Sequence, residues 1–142
     1  MRNKNSFALL FIDLDKFKII NDTKGHAFGD QILVETASRL KQSIRGSDTV
    51  ARIGGDEFVL LLENISNRKS VTKMAEVITT TLHKAFVIND EVFHINCSIG
   101  IAMYPSDGET TDSLLVVADK AMYETKFKRH KIDDDRFLNN KA

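Results

Sequence analysis

ARIGGDEFVLLL, residues 51–62, splits into two short apolar runs around Gly54-Gly55-Asp56-Glu57. Such runs joined by a glycine-containing turn read as a hairpin. Strands are therefore expected over Thr49–Ile53 and Phe58–Leu62. The turn is unusual in placing two carboxylates side by side next to bare backbone. Taken alone it is an ordinary polar turn, because acids and glycines both favour turns. Its meaning depends on what the rest of the chain brings against it.

Phe7-Ala8-Leu9-Leu10-Phe11-Ile12 is a continuous apolar run, the pattern of a strand buried on both faces, and Asp13 ends it. Phe17 and Ile20 suit a short helix that Asn21–Gly25 is expected to interrupt. A longer helix follows through Leu33, Ala37, Leu40 and Ile44, with Gly46 as its stop. Residues 67–85 form an amphipathic helix through Val71, Met74, Ala75, Ile78 and Leu82. Val87-Ile88 and Val92–Ala102 flank Asn89-Asp90-Glu91, which predicts a second hairpin. In its long strand Phe93, Ile95, Cys97, Ile99 and Ile101 alternate with His94, Asn96 and Ser98, predicting one buried and one polar face. A last helix begins near Asp112 and carries Leu114, Leu115, Ala118 and Met122. Beyond Lys128 the tail is charged, with a short strand expected over Arg136–Leu138.

The order β-α-β-β-α-β with a C-terminal helix predicts an α/β (α+β) fold with a palm-like or ferredoxin-like core. A mostly antiparallel central sheet would be flanked by helices. No linker or repeat divides the chain, so residues 1–142 are expected to form a single domain.

Composition narrows the function. The chain has 142 residues, 42% hydrophobic and 28% charged, which suits a soluble globular domain with its own core. Twenty basic residues balance twenty acidic ones. Without a basic excess, a general nucleic-acid or membrane-surface binder is excluded, while a small anion met by local cations is not. The single Cys97 lies in an apolar alternation and reads as a core residue in a reducing compartment. The apolar run at the start is cut at Asp13 and lacks a cleavage site, so it is not a signal peptide. No run is long enough to cross a bilayer. The expected location is the cytoplasm, including the cytoplasmic part of a membrane-bound sensor.

Asp13 and Asp56 stand 43 positions apart. If the first strand lies beside the hairpin, they meet at one edge of the sheet. Converging carboxylates repel unless a cation joins them. Hard divalent cations bind through such oxygens, and Mg²⁺ takes one or two carboxylates plus substrate phosphates. Gly54 and Gly55 would let a phosphate chain approach the backbone. The hairpin therefore reads as a platform for metal and triphosphate.

Gly54-Gly55-Asp56-Glu57-Phe58 is also the signature of GGDEF domains, the diguanylate cyclases that condense two GTP into cyclic di-GMP. FIDLDKFKIINDTKGHAFGDQIL (Phe11–Leu33) resembles that family's first strand, metal loop and guanine-binding helices. CSIGIAMYP (Cys97–Pro105) and ADKAMYETK (Ala118–Lys126) resemble its later strand and last helix. The likeness covers residues 7–128 in the family's order and spacing.

The resemblance implies roles. Asp13, Asp56 and the backbone carbonyl of Leu14 would hold Mg²⁺ or Mn²⁺. Glu57 would ligate the metal or help deprotonate the attacking 3′-hydroxyl. Asn21 and Asp30 would read guanine, whose N1–H and N2–H a carboxylate can accept. Lys18, Lys126, Gly54, Gly55 and Arg129 would meet phosphate. Arg45 and Asp48 match an R-x-x-D site that binds cyclic di-GMP as feedback inhibitor. Since one such domain holds one GTP, catalysis would need an antiparallel homodimer with a half-site on each subunit.

There are two departures from the family pattern. The upstream helix carrying D-x-L-T-x-L-x-N-R is missing from a chain that begins 12 residues before Asp13, so a fragment of a larger protein with an additional regulatory domain is expected. His130 stands where an Arg is common, with Arg129 and Lys131 alongside. His26 and His94 read as structural. The alternatives to a cyclase are a non-catalytic GGDEF-type domain that senses GTP or cyclic di-GMP, and a purely structural dimerising domain.

Overall fold

The structure, a computed structural model, describes residues 6–140, with side chains through residue 128. It consists of strands β1 (Phe7–Leu14), β2 (Thr49–Arg52), β3 (Glu57–Glu63), β4 (Phe86–Ile88), β5 (Glu91–Phe93) and β6 (Cys97–Tyr104). The helices are α1 (Phe17–Lys24), α2 (His26–Ser43), α3 (Arg68–His83) and α4 (Thr111–Asn140). A four-stranded sheet runs in the order β2-β3-β1-β6, and β4 and β5 form a separate two-stranded ribbon. All pairings are antiparallel. The expected sheet with flanking helices is what the chain forms.

β1 lies inside the sheet, and its apolar run is explained by helices on both faces. Leu10, Ile12 and Leu14 pack with Ile32, Leu40, Ile78 and Leu82 of α2 and α3. Leu9 and Phe11, pointing the other way, pack with Leu114, Ala118 and Met122 of α4. Successive side chains of a strand point to opposite faces, so only an unbroken apolar run can satisfy two covered faces. Arg39 ties α2 to the end of α3. Its guanidinium donates to the carbonyls of Thr81, Leu82, Lys84 and Ala85 and lies 3.8 Å from the Phe86 ring centroid. The carbonyls left open at a helix C-terminus thereby find donors. At the other end of α3, Asn67 accepts from the amide of Ser70 as N-cap.

Several expectations need correction. α1 runs through Asn21–Lys24 and stops only at Gly25, whose φ of 96° turns the chain into α2. The helix tolerates Asn21 and Asp22 because the break comes from glycine's access to positive φ, not from the polar residues. α2 ends at Ser43, with Ile44 already extended, short of Gly46. The long strand expected over Val92–Ala102 is two strands in two different sheets. It breaks at His94–Asn96, where Ile95 drops into the core and the Asn96 carbonyl accepts from Asp15 N at 2.8 Å. The polar face expected on that strand is absent from β6, where Ser98 is fully buried. On β6 the even positions Ser98, Gly100 and Ala102 are small, which lets α4 lie close. The strand expected at Arg136–Leu138 falls within α4. Cys97 is buried, as expected. Among the described residues no helix is long and apolar enough to cross a membrane.

Gly100 sets the distance of α4 from the sheet. A Cβ there would run into the carbonyl oxygen of Ala118 and the backbone nitrogen of Met122. Backbone cannot rotate away as a side chain can. Gly100→Ala is therefore expected to destabilise the domain by about 3 kcal/mol, the upper end of ordinary overpacking. Urea unfolding followed by circular dichroism measures this, and an unchanged midpoint would contradict the close packing of α4 on β6.

Candidate active site

Asp13 lies in register with Glu57 of β3 on one side and Ser98 of β6 on the other. Leu14 N donates to the Asp56 carbonyl at 3.2 Å, and Asp15 N donates to the Asn96 carbonyl at 2.8 Å. Ser98 Oγ donates to Asp15 Oδ1 at 2.8 Å, and both residues are buried. The end of β1 is thus stitched to the elements on either side. The hairpin is held as well: Arg52 donates to the carbonyls of Gly54 and Gly55 at 3.0–3.2 Å.

Asp13, Asp56 and Glu57, three of the expected metal residues, are electrostatic neighbours at the end of β1. Asp13 is 7% exposed. Its Oδ2 accepts from Lys126 Nζ of α4 at 3.0 Å, and its Oδ1 is buried with no hydrogen-bond partner. Burial pushes the Asp13 carboxyl above its usual range; Lys126 opposes this, and the neighbouring Asp56 pushes it further up. Burial likewise raises Glu57, with Asp13 and Asp119 adding to the rise and Lys126 opposing it. For Lys126 burial acts downward, but Asp13, with Asp15 and Asp56 behind it, holds it above its ordinary value. Gly54 has a use beyond exposing backbone, since a Cβ there would strike the Glu57 carboxylate.

An orphaned, buried carboxylate oxygen beside a second carboxylate fits a divalent cation. Among the described residues no group of three or more acidic, His or Cys side chains is arranged to hold a metal ion. A site here would rest on two carboxylates, with water and phosphate oxygens filling the remaining positions of a hard ion. Asp13 and Asp56, with the Leu14 carbonyl, would hold such an ion, and its charge would relieve the repulsion between them.

The expected base-reading residues sit on the two helices after β1. Asn21 lies on α1, its amide Nδ2 2.9 Å from His26 Nδ1. Its Oδ1 occupies the space where a Cβ on Gly29 would be, and exposed Asp30 follows Gly29 on α2. Lys18 is exposed on α1 and is not among the charges that shift Asp13 or Glu57. The side chains of Arg129 and His130 lie outside the described residues. His94 Nδ1 lies 3.0 Å from the His83 carbonyl, to which it donates when it carries the ring proton, in keeping with a structural role.

Arg45 and Asp48 form a different kind of pair. Asp48 Oδ2 accepts from Arg45 N and Nε at 3.0 and 3.1 Å, and Oδ1 accepts from Glu63 N at 3.0 Å and Arg45 Nη2 at 3.2 Å. Burial acts to raise the Asp48 carboxyl, but Arg45 and the two amides outweigh it, so it lies below its usual value. The Arg45 side chain is 55% exposed, whereas that of Asp48 is fully buried. Beside them a cleft of about 490 Å³ is lined by Lys41, Thr49, Arg52 and Phe58.

Sequence reasoning missed Asp15, Ser98, Arg52 and Asp119 as neighbours of the acids. For Asp15 a signal existed, because Asp13-Leu14-Asp15 carries acids on alternate positions at a strand end. Arg52 and Asp119 act across turns and helix faces, which only the packing defines.

Residues 1–131 match the family described as diguanylate cyclase, GGDEF domain. A bifunctional diguanylate cyclase/cyclic di-GMP phosphodiesterase, MucR of Pseudomonas aeruginosa, is 44% identical over 126 residues, covering 89% of this chain and 18% of that protein. The crystal structure of the GGDEF domain of YfiN or TpbB from Pseudomonas aeruginosa superposes with a TM-score of 0.84 at 41% identity, covering 87% of this chain and 78% of that one. The GGDEF domain of DgcB from Caulobacter crescentus in complex with c-di-GMP gives 0.80 at 29% identity, covering 87% and 74%. The chain spans about a fifth to a third of the length of the curated relatives it matches.

The Asp13–Asp56 repulsion should be measurable without any ligand. A carboxyl raised in the folded state favours folding below its unfolded pKa and loses that contribution as pH rises through its folded value. Asp56→Asn removes one cause of the rise. In metal-free buffer it is expected to stabilise the domain by about 0.5–1 kcal/mol near pH 7.5, with the gain vanishing near pH 4. Urea unfolding at the two pH values reads this directly. A loss of stability at both would mean that the carboxylates do not repel.

Proposed function

The chain belongs to the GGDEF family of diguanylate cyclase domains, and from that premise we propose that it condenses two GTP into cyclic di-GMP and pyrophosphate. The observation that carries the reading is the orphaned Asp13 Oδ1, buried beside Asp56 with Glu57 paired across the strand. Nothing in the fold requires an unsatisfied carboxylate there, and leaving one costs stability.

Mg²⁺ or Mn²⁺ supplies charge neutralisation at the α-phosphate when bound. Asp13, Asp56 and the Leu14 carbonyl would hold it. Glu57, made more basic by burial and by Asp13, takes the proton of the attacking 3′-hydroxyl. The new bond joins that oxygen to the α-phosphorus of the other GTP, and the bond to pyrophosphate breaks. Lys126 and Lys18 offset phosphate charge, and Gly55 leaves the backbone open beside it. Asn21 and Asp30 select guanine. Because each subunit binds one GTP, two must face each other, so a homodimer is the active form. Arg45 binds cyclic di-GMP at the 490 Å³ cleft as an inhibitor, and Asp48, engaged by Arg45 and Glu63, orients it. The domain works in the cytoplasm, under a regulatory module elsewhere in its protein that controls dimerisation.

Two outcomes test this reading. With GTP and Mg²⁺, an enforced dimer of the chain is expected to form cyclic di-GMP, and Glu57→Gln to lower the rate by about 100-fold or more. A dimer that binds GTP and yields no product, even within the full-length protein, would overturn the cyclase reading in favour of a nucleotide sensor. For the inhibitory site, Arg45→Ala is expected to weaken cyclic di-GMP binding by about tenfold, the loss of a two-pronged charged contact. Calorimetry showing unchanged affinity would remove Arg45 from that role.

A further inference from the structure

Resting on the guanine-reading roles proposed for Asn21 and Asp30, we propose that His26 is a positioning residue that sets nucleobase specificity by fixing the orientation of the Asn21 amide. A side-chain amide carries a donor at one end and an acceptor at the other. Turning it by half a revolution swaps them at little steric cost. A pocket that uses an Asn to distinguish bases therefore needs something to hold the amide one way round.

The chain supplies that hold. Gly25, at φ 96°, turns sharply from α1 into α2, so the first residue of α2 comes back onto the last turn of α1. The Gly25 amide donates to the Asn21 carbonyl at 2.9 Å, fixing the backbone. Asn21 Nδ2 lies 2.9 Å from His26 Nδ1. A neutral imidazole with its proton on Nε2 presents a lone pair at Nδ1, which accepts from the amide N–H. The flipped amide would set Oδ1 against that lone pair and is accommodated only if the ring proton moves to Nδ1, so the amide's sense and the ring's tautomer are coupled. Gly29 leaves room on the other side, since Asn21 Oδ1 lies where a Cβ on residue 29 would be. The Asn21 amide thus lies between His26 and Gly29, whose chain neighbour is Asp30. Guanine and adenine differ in their donor and acceptor pattern, so an amide of fixed sense favours one of them, and a free one discriminates less.

The test is binding of 3′-deoxy-GTP and 3′-deoxy-ATP with Mg²⁺. Neither analogue carries the attacking hydroxyl, so affinity is read without turnover. His26→Phe keeps an aromatic ring and removes the acceptor. It is expected to reduce the preference for the guanine analogue by about 3- to 10-fold, the worth of one misoriented hydrogen bond. His26→Glu, whose ionised carboxylate can only accept, is expected to restore most of the preference. In an Asn21→Ala background His26→Phe should change nothing further, because the two residues act as one unit. In the ligand-free protein the side-chain amide resonances of Asn21 should shift in His26→Phe. If His26→Phe keeps the wild-type preference and leaves those resonances in place, the positioning role is wrong. If the wild-type chain binds the two analogues equally, or binds neither, the guanine reading of Asn21 and Asp30 fails first and takes the role of His26 with it.

Discussion

A carboxylate at the buried end of a strand is the constraint on which this molecule turns. β1 is covered by helices on both faces, and its last residues, Asp13 and Leu14, are buried, while Phe7 at its start is only half-buried. A one-residue slip of β1 against β3 would exchange every side chain between two cores of different shape. It would also carry Asp13 away from Glu57 and Lys126. Apolar packing therefore fixes the register, and the register decides which acids meet. Asp13 faces Glu57 because Leu10 faces Leu60 and Ile12 faces Phe58.

Most of this was legible in the sequence where a local pattern and its tertiary use agree. Phe7–Ile12 reads as a doubly buried strand because it has no polar residue to turn outward. The hairpin reads from two glycines between apolar runs. Asp13 and Asp56 could be paired across 43 positions because a strand end and a hairpin tip are fixed points. Legibility fails where a second layer changes the meaning of a pattern. Residues 92–102 alternate like one half-exposed strand, yet α4 covers the second face of β6, and Asp15 claims the Asn96 carbonyl where the strand breaks. Likewise Asn21 and Asp22 look like helix breakers. They are not, because Gly25 alone supplies the turn.

The glycines divide the work differently from what a turn-based reading suggests. Gly25 is needed for its backbone angle. Gly100 is needed for volume, because a Cβ there would meet the α4 backbone, whereas at Gly29 and Gly54 a Cβ would push the Asn21 amide and the Glu57 carboxylate out of the places they occupy. Two of those three neighbours are side chains assigned to the reaction. A missing methyl group can thus shape a polar site as firmly as a hydrogen bond does. Such a role leaves no trace in hydropathy or periodicity, since a glycine that makes room looks the same in sequence as one that bends.

Two buried aspartates separate structure from chemistry in this fold. Asp48 has its oxygens engaged by Arg45 and the amide of Glu63, and its carboxyl lies below the ordinary range despite burial. It favours the folded state at neutral pH and loses that contribution on acidification. Asp13 has one lysine on one oxygen and no donor on the other beyond a proton it could share with Asp56, and its carboxyl lies above the ordinary range. It works against the fold at neutral pH. A chain that can fully satisfy Asp48 with backbone amides has the means to satisfy Asp13, and Ser98, its partner in the β1–β6 register, spends its hydroxyl on Asp15 instead. The deficit at Asp13 is the kind of local instability that a binding site retains, because a ligand that relieves it gains affinity from the relief. On the proposed chemistry the relief comes from a cation at the Asp13–Asp56 pair. Lys126, held charged beside them, is then placed to meet the phosphates that accompany it.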